Sequence, residues 1–351
     1  MSQILTKISQ GKTHLYSPFG PLENALSETD DIVLPILKNL IKRYADTSIW
    51  DKLEYSLINK DHFDRAYFVK LGCESVGGEY TKTLLAMASV ELRYASEVVI
   101  DDVFDCNDER MGKPSMPKKY GQNTALSLAV ILKSLSSMSL LSNYREVNVD
   151  YDSFIDNNIR SEHSHHLVYL GQLADLQSET MGVDEVTDSF YLDMIKNTTG
   201  IDVGYCFELG CLLGGGTKEQ QSALYDFGVC LGTAMQIRDD VLDYIDDNSI
   251  INKEPFCDFI THKKRLPIMI AYRFGQEDER QAIRELFEKR HLTDGDRATL
   301  SALMKTDFVL GYIGKVLNEL LVKAMLNIEK ANIAENSLSI IKQVIGLLNV
   351  R

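Results

Sequence analysis

A chain of 351 residues that is 44% hydrophobic and 25% charged has enough apolar material for a large core, in one large unit or two average ones. Its formal net charge of -14 excludes a polyanion such as nucleic acid as the main partner, because that affinity comes from lysine and arginine neutralising phosphates. The six cysteines have no C-x-x-C spacing, the start lacks the basic-then-apolar order of a signal peptide, and no uncharged apolar run approaches the ~20 residues of a bilayer span; the expectation is a reduced, cytoplasmic protein with no membrane span.

Taken in chain order, residues 1–25, with Gly11, Pro18, Gly20 and Pro21, read as an irregular arm, and 26–351 as one domain. Helical patterns follow over 27–45, 63–76, 81–105, 122–141, 161–180, 184–198, 204–213, 217–243, 264–274, 278–289 and 313–348. No proline occurs from Lys118 to Lys253, which suits long helices because proline removes a donor and clashes with the preceding turn. The chain therefore reads as all-α. Ile313, Leu317, Leu320, Leu321, Ala324 and Ile328 recur every three or four residues, the stripe of a scaffold helix on a core.

Two acidic clusters carry the chemistry. Asp101-Asp102-Val103-Phe104-Asp105 ends an apolar helical run, and Asp101 and Asp105, four apart, share one face with Cβ atoms about 5–6 Å apart. The second, Asp239-Asp240-Val241-Leu242-Asp243, repeats the spacing after Gln236. Like charges at that spacing repel, and apolar surroundings add a desolvation cost; a divalent cation removes both. All-oxygen ligation by Asp101, Asp102, Asp105, Asp239, Asp240 and Asp243 suits magnesium, which keeps waters and is shared with substrate phosphates. A diphosphate also needs fixed cations, and Arg110, Lys196, Lys253 and Lys263 lie near or between the clusters.

These residues resemble the trans-prenyl diphosphate synthase (polyprenyl synthetase) family over nearly the whole chain. Asp101 to Pro114 is similar to D-D-x-x-D-x4-R-R-G-x-P, Gly171 to Leu176 to G-Q-x-x-D-L, Gln236 to Asp243 to Q-I-x-D-D-x-x-D, and Arg65 to Gly78 to the helix after G-K-x-x-R. The resemblance implies a single-domain antiparallel helix bundle of the isoprenoid synthase type around a deep apolar cavity, usually a homodimer. It makes Asp101, Asp105 and Asp239 direct ligands of Mg2+, at about three ions per site. Arg110, Lys196, Gln236 and Lys263 would hold an allylic prenyl diphosphate whose ionisation the metals and cations assist.

The family's second diphosphate site, for isopentenyl diphosphate, is altered. Arg65 remains, but His62 stands at the lysine, Tyr94 at the histidine and Met111 at the second arginine. Losing charge-assisted bonds of roughly 1.5–3 kcal/mol each weakens binding by orders of magnitude. The sequence therefore favours terpene-synthase-type cyclisation or elimination on a C15–C20 substrate; chain elongation, with Lys60 or His62 rescuing the site, and a non-catalytic regulatory subunit are the alternatives. Glu97, one turn before Asp101, is read first as an ion-pair partner of Arg93 and second as a base for a carbocation proton. Ser96 leaves room for a long tail. His163, His165 and His166 read as a solvated helix start, Asp246-Asp247-Asn248 as a solvated loop, and Arg351 as a frayed end.

Overall fold

The computed structural model describes residues 23–57, 62–244, 256–289 and 291–348. The arm before Glu23, Lys60, Asp246-Asp247-Asn248, Lys253 and Arg351 lie outside the described residues. Helix α1 runs Glu23–Tyr44, α2 Trp50–Leu57, α3 Asp64–Ser75 and α4 Leu84–Phe104. A two-residue hairpin, β1 Glu109–Arg110 and β2 Lys113–Pro114, precedes α5 Met116–Tyr120, α6 Gln122–Val147 and α7 Tyr151–Thr180. Helix α8 Asp188–Ile195 passes through a π-helical turn, Lys196–Gly200, directly into α9 Ile201–Leu213. The remainder is α10 Lys218–Leu242, α11 Cys257–Ile260, α12 Leu266–Phe274, α13 Glu277–Phe287, α14 Asp294–Met304, α15 Asp307–Ala331 and α16 Glu335–Leu348.

Several boundaries differ from the sequence reading. Helix α7 begins ten residues before Ser161, at Tyr151, because Asn148 takes the left-handed conformation that ends α6 and the Asp150 carboxylate accepts from Ser153 N to cap the next helix. The three histidines are thus mid-helix, not a helix start. The pattern over 313–348 is two helices: Asn332, at φ 46°, breaks it, and Ala334 N donates to Ser75 O at 2.8 Å. Helices α2 and α14 were not expected; α14 is set by a capping box between Thr293 and Asp296.

The core is one continuous cluster from Leu26 to Leu348. Helix α9 is buried on nearly every side and packs between α3 and α10. Its approach to α3 is at backbone distance: a Cβ at Gly210 would sit 2.0 Å from Val69 O. Helix α4 lies along α6, tied by Ala86 N to Asn143 Oδ1 at 2.9 Å, Ser89 Oγ to Ser136 O at 2.8 Å and Ser96 Oγ to Ala129 O at 2.8 Å. By length and composition α6 is apolar enough to cross a membrane, although the sequence reading expected no span; Lys133 lies within it.

Candidate active site

Both acidic clusters close helices. Asp105 is the C-cap of α4 and Asp243 the C-cap of α10, and neither last turn holds a basic residue. The negative end of each helix dipole therefore adds to the repulsion among the carboxylates. Cations from elsewhere in the chain offset it. Arg110, on β1, places Nη2 3.1 Å from Asp101 Oδ2 and Nε 2.8 Å from Asp102 Oδ1. Its neighbours Met111 and Gly112 both have positive φ, as a tight two-residue hairpin requires.

A ladder of ion pairs then joins the two clusters. Lys263 Nζ lies 2.6 Å from Asp105 Oδ1 and 2.8 Å from Asp175 Oδ2. Arg265 Nη1 lies 2.6 Å from Asp175 Oδ1, and its Nε lies 3.1 Å from Asp258 and 3.8 Å from Asp240. Asp105, Lys263, Asp175, Arg265 and Asp240 thus bridge the ends of α4, α7 and α10 through the 256–265 segment. Asp175 is held below the usual carboxylate range: burial opposes this, and Arg265 and Lys263 outweigh it.

The six aspartates divide by orientation. Asp239 is exposed, and Asp101 and Asp105 are half-buried, whereas Asp102, Asp240 and Asp243 are interior. Asp240 accepts from Tyr191 Oη at 2.6 Å and from Gln236 Nε2 at 2.9 Å. Asp243 Oδ2 accepts from Asp258 N at 3.1 Å and so fixes the loop that carries Lys263. Gln236 is engaged within this shell, its Oε1 accepting from Thr199 Oγ1 at 2.7 Å.

The π turn presents Lys196, which is exposed at its first position. Helix α7 fits against it through Gly171, where a Cβ would meet Thr198 Cγ2 at 2.7 Å and Thr198 N at 2.8 Å. One residue on, Gln172 Nε2 donates to Asp101 Oδ1 at 2.9 Å.

Among the described residues no three acidic, histidine or cysteine side chains form a ready-made metal cage. Magnesium does not need one, since it binds through one or two carboxylates, waters and substrate phosphates. The donor set fits: hard oxygen ligands cluster at two helix C-termini, and burial, then Asp101, push Asp105 up to about 6 even with Lys263 beside it. Asp240 is likewise pushed up to about 6, first by burial and then by Asp258 against Arg265.

The altered second-diphosphate residues do not all converge. His62 turns to α1, with Nδ1 2.6 Å from Asp30 and Nε2 2.9 Å from Glu23. Arg65 is buried, pairs with Asp64 at 2.6 Å and Asp202 at 2.9 Å, and lies over the Tyr94 ring at 3.9 Å. Burial pushes the Tyr94 hydroxyl up to about 12, with Arg65 and Arg110 pulling the other way. Arg65 therefore stacks on Tyr94 while its carboxylate partners hold it in place.

Glu97 does lie near Arg93, at 3.7 Å, but its shorter contact is His165 Nδ1 at 3.0 Å. Ser96 faces α6 instead. Sequence reasoning gave no role to Arg265, Tyr191 or Asp202; the run Lys263-Lys264-Arg265 was the one available signal, because three successive cations this close to Asp258 need anions around them.

The model of the polyprenyl synthetase family matches residues 52–304. The chain is 24% identical to a mitochondrial geranylgeranyl pyrophosphate synthase of Arabidopsis thaliana over 314 residues, 87% of this chain and 93% of that one. It is 29% identical to a geranylgeranyl diphosphate synthase of Methanosarcina mazei over 205 residues, 58% of this chain and 61% of that one. Among solved structures, a geranylgeranyl pyrophosphate synthetase from Pyrococcus horikoshii Ot3 superimposes with a TM-score of 0.82 at 21% identity, over 94% of this chain and 98% of that one. A polyprenyl synthase from Caulobacter crescentus CB15, complexed with calcium and isoprenyl diphosphate, gives 0.81 at 18% identity, over 95% and 97%. The fold is the all-helical bundle of isoprenyl synthases. The chain belongs to the polyprenyl synthetase family and is an isoprenoid synthase.

Proposed function

We propose that this protein is a magnesium-dependent prenyl diphosphate synthase, which ionises an allylic prenyl diphosphate and extends it with isopentenyl diphosphate. The observation that carries this reading is the ladder of ion pairs from Asp105 through Lys263, Asp175 and Arg265 to Asp240, which links one residue of each carboxylate triad and so supports their acting together. The relatives support elongation over the cyclisation favoured by the sequence, since those described above are named as synthases of prenyl diphosphates. Arg65, the basic residue that the second diphosphate site keeps, lies over the Tyr94 ring.

In this reading Asp101, Asp105 and Asp239 hold the metal, and Asp102, Asp240 and Asp243 fix the shell behind them. Arg110, Lys196 and Lys263 orient the diphosphate. Magnesium, when bound, supplies stabilisation of the charge developing on the departing diphosphate. The buried helices exclude water from the allylic cation. Exposed Val130, Ile159 and Leu173, at 65%, 64% and 62%, support a homodimer through α6 and α7.

The test is incubation of the purified protein with magnesium and geranyl or farnesyl diphosphate, with and without isopentenyl diphosphate. Longer diphosphates are expected only when isopentenyl diphosphate is present, and EDTA is expected to abolish them. Hydrocarbon or alcohol products with no elongation would return the cyclising reading.

A further inference from the structure

One buried aspartate serves two arginines. Asp202 on α9, 1% exposed, accepts from Arg93 Nη2 of α4 on Oδ1 and from Arg65 Nε of α3 on Oδ2, the latter at 2.9 Å. A carboxylate in a helix buried on nearly every side costs free energy unless it is paired, so these ion pairs are what keep it there. The frame around it is rigid. Helices α3 and α9 pack along each other, with Phe68 stacked on Phe207 at 5.2 Å, and a Cβ at Gly72 would meet Phe207 O at 2.5 Å.

Arg65 is held from three sides. Asp202 fixes Nε, Asp64 takes Nη1 at 2.6 Å, and the Tyr94 ring lies 3.9 Å from the guanidinium carbon. A planar guanidinium bound along its edge and covered on one face keeps a single orientation. Two carboxylates on one arginine would cancel more than its charge, but Arg93 shares Asp202, so the two arginines and two aspartates balance. Arg65 is 7% exposed against 2% for Arg93, and of the two it is the one an anion can reach. An anion that meets it does not have to order a long side chain first.

We infer that Asp202 is a positioning residue for the second substrate: acting through Arg65, it sets the affinity for isopentenyl diphosphate. The inference rests on the elongation reading, in which Arg65 meets the second diphosphate. Arg93 is the counterweight that keeps Asp202 from neutralising Arg65. Arg110 and Lys263, proposed to orient the allylic diphosphate, are paired with other carboxylates, Asp101, Asp102, Asp105 and Asp175, so the allylic site does not depend on Asp202.

Steady-state kinetics of elongation, with magnesium and geranyl or farnesyl diphosphate, tests this on Asp202→Asn, which keeps the shape and loses the charge. KM for isopentenyl diphosphate is expected to rise about tenfold, the worth of a charge-assisted hydrogen bond. KM for the allylic diphosphate should stay within about twofold, whereas a merely structural loss would lower kcat through the fraction folded and move neither KM. In an Arg65→Met background nothing is left to position, and adding Asp202→Asn should change kcat/KM for isopentenyl diphosphate less than about twofold. Should Asp202→Asn not fold, Arg93→Met with Asp202→Asn removes one charge of each sign from the interior and carries the same expectation. An unchanged KM for isopentenyl diphosphate, an equal rise for both substrates, or an effect that persists without Arg65 overturns the inference. Wild type that forms no longer diphosphate at any isopentenyl diphosphate concentration overturns the elongation reading, and the inference with it.

Discussion

Lys263 holds two carboxylates on one buried ammonium, 2.6 and 2.8 Å away. Lys263→Met leaves Asp105 and Asp175 facing each other without it, and removing one partner of a buried pair costs about 3–5 kcal/mol. Urea denaturation should show that loss, and turnover should fall with it. His62 sets a pH dependence of its own. Burial lowers its pKa, but hydrogen bonds to Asp30 and Glu23 outweigh this and hold it above the ordinary 6.5. For a group raised on folding, the stabilisation is fully present below about 6.5 and is lost as pH rises through the folded value. In this partly exposed setting it is worth about 1 kcal/mol or less. Wild type and His62→Ala should therefore differ in urea midpoint near pH 5.5 and converge near pH 8.5; a constant gap would refute the assignment. At this scale Lys263 was legible from its place after the second motif, but the engagement of Arg65 with Asp202 was not, because the two are 137 positions apart and no local spacing announces the pair.

The π turn at Lys196–Gly200 is where two elements meet at backbone distance. Gly171→Ala would drive a methyl into Thr198, an overpacking worth about 1–3 kcal/mol, and displace Lys196 with it. Michaelis constants for the allylic diphosphate should rise severalfold while melting temperature drops; an unchanged constant would mean that Lys196 does not contact substrate. Helix existence was readable from apolar periodicity, and boundaries were not. The interruption at Asn332 was missed because both flanking helices carry the same stripe, and only the backbone conformation of one residue separates them. The early start of α7 was missed because residues 151–160 are mostly polar, with a wide exposed face.

The bundle as a whole exposes an apolar strip on α6 and α7. If that strip is the proposed dimer face, Ile159→Glu with Leu173→Glu should give a monomer by light scattering, at a few tenths of a kcal/mol per exposed site in protomer stability. Family and fold class were legible because the motifs keep their order and intervals across the chain. The choice between cyclisation and elongation was not, because counting substituted residues at one subsite does not measure whether that subsite still binds. The direction in which α4 and α10 run has one more consequence. Helices meeting a diphosphate with their amino ends attract it unaided, but these two meet it with their carboxyl ends. A naked polyanion approaching the mouth is repelled, so in the proposed reaction the substrate enters as its magnesium salt, or after the metal. Without divalent ions a non-ionising diphosphate analogue should fail to bind at all; tight binding in EDTA would show that the fixed cations suffice.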